Sequence, residues 1–569
     1  MNLGDMGTVV KTDLLVIGGG FGGLWTAIKA SQGGVRDICI IDKTCVAFGG
    51  QSKMSAGATI YMYDGADPAE WLKAVFLGQQ GMCRQDMVES LLTESGERLR
   101  ELESWGIEYR RTPETGDYIR MPARGLAPAM MTVFPTYEGV CGGSALTTVL
   151  RKEALRRGVR FQNKVFINDL IVRDNRAQGA IGIDRRTGEC FIYAAGAVVM
   201  AASDCSFRGD YACVEQSTGD GFAIAYNAGA DLADMEFMCT NTGPLTFNFE
   251  GTGPAGQAGA EYLNSKGEHF MPSYNPKGSK AELNYIVRAM AAEYRKGNGT
   301  PLYFDFRKLP PDMEKLYLSM GGWMPRNLMR LREKGVQMFK SRNEWGPVVQ
   351  TLRGGVKTDR TCMSNIAGLF SSGTNHSMGP GLFNGWSSAK CFWSGATAGT
   401  SAAHYLASSN GSKIDTAAVG SLKQRLFDRP VATDQGDLTI NQVTEAIQRT
   451  LFYFKTSIHK SEASLQQATG AIASIKEEQL PRAKIPDLHE FIKFRETQNM
   501  LLVAELFLKA SILRKESRFD HWREDYPAMD PGWLKWIVFN KDLPEGHRLE
   551  DLPWAQYRFQ PEHLDSARG

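Results

Sequence analysis

The ten cysteines of the chain (Cys39, Cys45, Cys83, Cys141, Cys190, Cys205, Cys213, Cys239, Cys362 and Cys391) form no C-x-x-C pair and no cluster with zinc or iron–sulfur spacing. No cysteine-held metal centre is expected on this chain. If it exchanges electrons with a one-electron carrier, the clusters must sit on another chain, and the thiols read as buried or idle groups in a reducing compartment. Long apolar runs are also missing: no stretch approaches the roughly 18 residues that a membrane-spanning helix needs. Neither sign of charge is in excess. There are 65 Lys and Arg against 63 Asp and Glu, for a net charge of +2, so there is no electrostatic footprint for nucleic acid or an anionic membrane. The first twelve residues lack the apolar core of a secretory signal and run straight into a strand pattern. These absences point to a cytoplasmic protein, with docking onto a membrane-bound partner left open. No internal repeat is evident, and 569 residues are more than one core needs.

What is present begins at once. Residues 14–17 are a short apolar run. Gly18, Gly20 and Gly23 follow at G-x-G-x-x-G spacing, with Phe21 and Gly22 between them. A helix over 24–31 and a second strand over 38–41 complete the unit, and Asp42 ends it. Gly18 permits the tight turn, Gly20 lets the backbone approach a pyrophosphate, and Gly23 allows close helix–strand packing. The helix start offers unpaired N–H groups to the phosphates. Asp42, roughly 20 residues on, suits ribose hydroxyls and favours FAD or NAD over NADP.

Helical patterns follow over 68–105 and 143–157, and strand patterns over 161–165 and 169–172. Residues 179–183 and 189–193 alternate like a hairpin, and 195–202 is a small-residue strand. Residues 236–352 are rich in Gly, Pro, Asn and aromatics and read as an inserted lobe. A strand pattern returns at 355–359 and 368–370, followed by a small-residue helix over 390–404. Apolar residues recur at helical spacing between 430 and 519, notably over 488–513. The tail after Trp522 reads as mostly irregular.

Five landmarks then stand in order: Gly18 to Gly23 with Asp42; Gly49-Gly-Gln-Ser-Lys-Met-Ser-Ala-Gly57; Ala194-Ala-Gly-Ala-Val-Val-Met-Ala-Ala202; Gly368-Leu-Phe-Ser-Ser-Gly373; and Lys515-Glu-Ser-Arg-Phe-Asp-His-Trp-Arg-Glu-Asp-Tyr-Pro527 with Trp533-Leu-Lys-Trp536. With the run from Ser217 to Phe237, they cover nearly the whole chain. The order resembles the flavoprotein subunits of succinate dehydrogenase and fumarate reductase, whose relatives include L-aspartate oxidase and the alpha subunit of adenylylsulfate (APS) reductase. The resemblance implies a discontinuous α/β Rossmann-like FAD-binding domain (1–235 and 353–429), an inserted α+β capping domain (236–352), a C-terminal helical domain (430–540) and an irregular tail (541–569). It implies FAD contacts from Gly18, Gly20, Phe21, Gly22, Gly23, Asp42, Lys43, Gly50, Gln51, Ser52, Ser55, Ala56, Gly57, Ala202, Ser203, Asp220, Gly373 and Asn384.

The departures from that pattern matter for chemistry. Where membrane succinate dehydrogenases bond the flavin to a histidine, this chain has Ser52, which implies noncovalent FAD. Asn241 and Gln350 stand where the dicarboxylate enzymes carry histidines. Gly256, with Ala255 and Gln257, occupies the place of the proton-shuttling arginine before Gly267-Glu-His-Phe-Met271, and Met378-Gly-Pro-Gly-Leu382 lacks the second substrate arginine. Two carboxylates are naturally held by paired cations, so succinate, fumarate and aspartate are disfavoured.

Candidate catalytic groups are Arg353, as an anion-binding or flavin-charge residue, and His376 and His269, as acid–base groups near neutral pH. The favoured function is an FAD-dependent oxidoreductase passing hydride at flavin N5. It would act on a small molecule that is not a simple dicarboxylate and trade electrons with a separate iron–sulfur, ferredoxin-like subunit, in the manner of the APS reductase alpha branch. A dicarboxylate or enoate reductase is the alternative. A non-catalytic, electron-relaying flavoprotein subunit is the reading from another class.

Overall fold

The computed structural model describes residues 3–567 apart from 124–125, 127–129, 133–134, 210, 212–213, 246–251, 320–322, 382–383, 410–413 and 429–435. Among the elements that position the site are β1 (Thr8–Ile17), α1 (Phe21–Gln32), β2 (Ile38–Asp42), α2 (Gly143–Arg156), β3 (Arg160–Asn163), β4 (Val165–Arg173), β5 (Arg176–Asp184) and β6 (Cys190–Met200). After them come α3 (Asp220–Asn227), β7 (Met238–Gly243), α4 (Leu283–Arg295), β8 (Gly346–Leu352), β9 (Leu369–Ser371) and α5 (Trp386–Ser408). The C-terminal part holds α6 (Ile440–Leu451), α7 (Glu462–Ser474), α8 (Leu488–Leu513), β10 (Lys535–Phe539) and β11 (His547–Asp551).

A seven-stranded sheet forms the centre, in the order β3-β2-β1-β6-β5-β4, with β9 also paired to β6. The β3, β2, β1, β6 and β9 pairings are parallel, whereas β5 runs antiparallel to its neighbours β6 and β4. Leu14 and Val16 of β1 enter one apolar layer with Trp25 and Ile28 of α1. Leu15 and Ile17 enter the opposite layer with Ile181 and Val198. Both faces are covered, so the strand reads as a continuous apolar run rather than an alternating one. Helix α5 lies against α1 because it is built from small residues: a Cβ at Gly395 would come 2.6 Å from the Gly22 carbonyl oxygen.

Two strand readings change. The hairpin arm expected over 189–193 and the strand expected over 195–202 are one strand, β6. Its first half pairs with β5 while its whole length pairs with β1, from Thr8↔Phe191 to Ile17↔Met200. The same pairing extends β1 back through polar residues to Thr8. The tail is also less irregular than expected, because β10 and β11 form an antiparallel pair that joins a four-stranded sheet through Leu232–Ala233. The buried Trp536-Ile-Val-Phe539 run drives this pairing.

Between β7 and β8, which pair antiparallel, the chain forms a small three-stranded sheet and α4. In the C-terminal part, α6 and α7 each begin with a capping box, at Thr439 and Ser461. A buried charge network fastens the C-terminal segment to the root of β7. Arg514 Nε donates to Glu236 Oε1 at 2.6 Å and its Nη1 to Glu516 Oε1 at 2.9 Å, while Arg518 donates to both oxygens of Glu516 at 2.7 and 2.8 Å. No helix of the described residues is long and apolar enough to cross a membrane.

Candidate cofactor cleft

A cleft opens at the C-terminal ends of β1 and β2, the edge at which open α/β sheets bind ligands. The cleft wall includes Gly18, Gly20, Phe21, Gly22, Asp42, Lys43, Gly50, Gln51, Ser52, Ser55, Ala202, Ser203, Asp220 and Gly373. Of the expected contacts, Gly23, Ala56, Gly57 and Asn384 are not among its lining residues. Gly23 lies behind the loop: a Cβ there would sit 1.9 Å from the Gly18 carbonyl oxygen. Gly57, at φ +72°, packs against Gly142, where an added Cβ would meet the backbone at 2.8 Å. Sequence reasoning missed several lining groups, among them Val165–Ile167, Thr44, Gln216, Ser217, Thr374, Ser387, Ser388 and Cys391.

These residues fit an ADP-containing flavin. Gly18 adopts φ +111°, and a Cβ on it would lie 2.2 Å from the Ala201 carbonyl oxygen, so the floor of the cleft is bare backbone by necessity. Helix α1 follows Gly20, which has no side chain to cap it; Ser52 takes the Phe21 N–H, and the N–H groups after it face the place of a phosphate. Asp42 is already engaged: Oδ2 accepts from Gly19 N at 2.9 Å, and Oδ1 accepts from the Thr44 backbone and hydroxyl at 2.6 and 2.7 Å. Oδ2 retains a lone pair for a ribose hydroxyl. Asn375, next to the lining residues Gly373 and Thr374, is fully buried with both side-chain amide atoms unpartnered in the protein.

Lys43 is an anchor rather than a free cation. Its ammonium donates to Thr218, Asp220 and Glu496, each at 2.7 Å. Burial alone depresses its pKa, but Asp220 and Glu496 overcome this and hold it above its ordinary value. Burial pushes Glu496 upward in turn, and Lys43 and Arg208 outweigh it, bringing Glu496 down to about 2. This ties the cleft rim to α8. Gln51 Nε2 donates to Asp204 at 2.6 Å and Ser217 at 2.9 Å, and burial raises the Asp204 carboxyl. Ser52 Oγ accepts from Phe21 N at 3.0 Å.

None of the three expected catalytic residues lines the cleft. Arg353 is buried with Nε 3.3 Å from Asp520 Oδ2. Burial raises Asp520 to about 6 against the pull of Arg353. The guanidinium thus faces a carboxylate that sequence reading could not place beside it, in an ion-pair contact that lacks hydrogen-bond geometry. His376 is wholly buried, with Nδ1 3.4 Å from the Thr358 hydroxyl and 3.4 Å from the Ser371 carbonyl. Burial, then Lys390 and Arg84, hold it well below its ordinary pKa, so it is a neutral interior imidazole. His269 sits in the chain between β7 and β8, 3.2 Å from Ser279 Oγ and 3.6 Å from Glu261. Arg120 stacks over Tyr63 with its Cζ 4.4 Å from the ring centroid.

The β7–β8 ribbon carries a neutral polar cluster. Asn241 Nδ2 donates to Tyr211 Oη at 3.1 Å and to Gln350 Oε1 at 3.2 Å, and the Thr242 hydroxyl lies 3.0 Å from Tyr262 Oη. The sequence contains no arginine between Arg208 and Arg288 or between Arg360 and Arg425.

Comparison with known proteins agrees with this geometry. The FAD binding domain family matches residues 13–386, and the fumarate reductase flavoprotein C-terminal family matches residues 445–563. The chain is 27% identical to one subunit of the fumarate reductase (CoM/CoB) of Methanothermobacter marburgensis, over 94% of this chain and 98% of that one. It is 23% identical to L-aspartate oxidase of Streptomyces coelicolor, over 96% and 95% of the two chains. Among solved structures, E. coli quinol fumarate reductase superposes with a TM-score of 0.85 at 22% identity, covering 97% of this chain and 98% of that chain. Adenylylsulfate reductase of Archaeoglobus fulgidus does so with 0.80 at 19% identity, covering 98% of each. The glycine cradle, the helix start aimed at it and matches over both ends of the chain place this protein in the fumarate reductase and succinate dehydrogenase flavoprotein family, as an FAD-dependent oxidoreductase.

Proposed function

We propose that this protein holds FAD without a covalent bond and exchanges hydride with a small molecule that is not a simple dicarboxylate. We assign FAD binding to 1–235 and 353–429, capping to 236–352 and a helical domain to 430–540. FAD supplies the chemistry, accepting or donating two electrons as hydride at N5. The chain's residues orient the partners and exclude water. The observation that carries the reading is the neutral Asn241–Gln350 pair. A dianion held there would face amides and hydroxyls rather than the bidentate cations that carboxylates demand. Arg353, the nearest alternative cation in the sequence motif, faces the Asp520 carboxylate at 3.3 Å.

We further propose that electrons pass to or from a separate iron–sulfur, ferredoxin-like subunit. Such a pairing has the character of APS reductase. The names of several sequence relatives favour a second reading, fumarate reduction, and one anaerobic stopped-flow experiment separates the two. The reduced protein is expected to be reoxidised by a low-potential ferredoxin and not by fumarate. Rapid bleaching reversal by fumarate would establish the second reading. Reduction that depends on no small molecule at all would favour a pure electron relay.

The noncovalent bond is tested independently. Ser52 lies at the position of the linking histidine, and a serine hydroxyl does not form that bond. Acid precipitation should leave the yellow chromophore in the supernatant; a coloured pellet would refute the assignment.

A further inference from the structure

Helix α5 contributes Ser387, Ser388 and Cys391 to the cleft wall; Lys390, their neighbour on the same helix, lies behind that lining. Its side chain is almost wholly buried, at 8% exposure for the residue. Among the described residues no carboxylate stands within ion-pair distance of its ammonium. The charged and titratable groups facing it come from five elements: Cys391 on its own helix, Asp204 after β6, Asp234 before β7, Arg353 after β8, and His376 after β9. Three of them have other partners. Asp204 is bonded to Gln51, Asp234 accepts from the Ser377 hydroxyl and from Gly379 N at 3.1 Å, and Arg353 pairs with Asp520. Several polar atoms nearby have no partner in the protein, namely His376 Nε2, Asp234 Oδ1 and the Asn375 amide. Buried polar atoms are nearly always satisfied, and an unpaired buried cation is costly. An interior behind the cleft wall that leaves both unmet is arranged for a charge it does not itself contain.

We propose that Lys390 is the counter-charge of the cofactor cleft, its ammonium balancing the negative charge that two-electron reduction places there and taking up a solvent proton to do so when it is neutral. The inference rests on the reading that the cleft holds FAD. The balance is simple. A hydride brings two electrons and one proton, so the site gains one negative charge, and one further proton from solvent, held on Lys390, restores neutrality. The electrons come from the substrate or, in the test, from dithionite. Burial lowers the Lys390 pKa to about 8, against the opposing pull of Cys391, Asp204 and Asp234. A negative charge arriving beside it raises its affinity for a proton. His376, held neutral by burial, does not compete for that proton.

The experiment is a redox titration of the purified, flavin-loaded protein with dithionite between pH 6.5 and 9.5. One proton per two electrons lowers the potential by about 30 mV per pH unit. The natural protein is expected to follow that slope below about pH 8 and roughly double it above, where Lys390 must be reprotonated. Lys390→Met should stay on the single slope throughout, with reduction at least tenfold less favourable at pH 7, about 30 mV. Lys390→Arg, always charged, should keep the pH 7 potential and lose the bend. A Lys390→Met protein with the natural potential and the natural bend would overturn the proposal. If that variant fails to retain flavin, the natural protein and the arginine variant decide it, since absence of the bend in the first, or its persistence in the second, overturns it equally. Flavin content tests the FAD reading by itself: a purified protein without flavin sinks that reading, whereas a flavin-loaded protein with a straight profile sinks only the role of Lys390.

Discussion

Gly23→Ala is expected to yield a colourless protein. The added Cβ would meet the Gly18 carbonyl oxygen at 1.9 Å and the Val16 side chain at 3.2 Å. The first of these is backbone and cannot rotate away, so α1 must move off β1. That movement displaces the helix start from the phosphate position and disturbs the α1–α5 packing that Gly395 and Gly22 make close. Overpacking a well-filled site typically costs about 1–3 kcal/mol, and contact with an immovable carbonyl puts this substitution at the upper end. Retention of FAD should fall by two orders of magnitude or more, read from the flavin-to-protein absorbance ratio and from titration of the stripped protein with FAD. Gly4→Ala serves as the control, because nothing lies within 4 Å of a Cβ there. A Gly23→Ala protein that purifies fully loaded would show that the loop does not set the cofactor site.

Arg514→Met is expected to lower stability more than any single exposed substitution. Arg514 is wholly buried and makes four contacts: Glu236, Glu516 and the carbonyls of Trp533 and Lys535. Methionine fills much of the volume but leaves Glu236 as a buried carboxylate without its guanidinium. Removing one partner of a buried ion pair typically costs about 3–5 kcal/mol. Burial already raises the Glu236 pKa, with Arg514 the main force pulling it down. Without Arg514, the folded-state pKa should rise further above the unfolded value. A raised carboxyl costs stability above the unfolded pKa, and the cost is relieved as pH falls. The melting temperature deficit should therefore shrink between pH 7.5 and pH 5.5. An unchanged melting temperature at pH 7.5 would mean that the network contributes nothing, and a deficit independent of pH would remove Glu236 from the explanation.

The parts of the molecule legible in the sequence are those whose cause is local. The glycine spacing with the run over 14–17 predicts β1, the cradle and α1, because each depends on residues a few positions apart. The helix over 488–513 is found with its bounds intact, because a long apolar periodicity needs no distant partner to be visible. Strand β6 reads as two pieces in the sequence because its two halves face different neighbours, and only the register with β1 unites them. The β10–β11 pair is invisible there because its partners, Leu232–Ala233, lie far back in the chain. In the cleft, the loop residues are legible and Val165–Ile167 are not, since sheet order alone carries the start of β4 to that wall. Arg353 looks available because its motif stands beside the expected flavin face, and nothing local foretells the Asp520 carboxylate that takes it.

By itself, then, the sequence determined that this chain binds an ADP-containing cofactor, which flavoprotein pattern it follows and which histidines and arginines of that pattern it lacks. Those are statements about spacing and residue type. Tertiary structure decided which charges remain available. Desolvation and pairing act through space between segments far apart in the chain: they set Arg353 against Asp520, tied Lys43 to α8, silenced His376 and left Lys390 without a counter-ion behind the wall of the cleft.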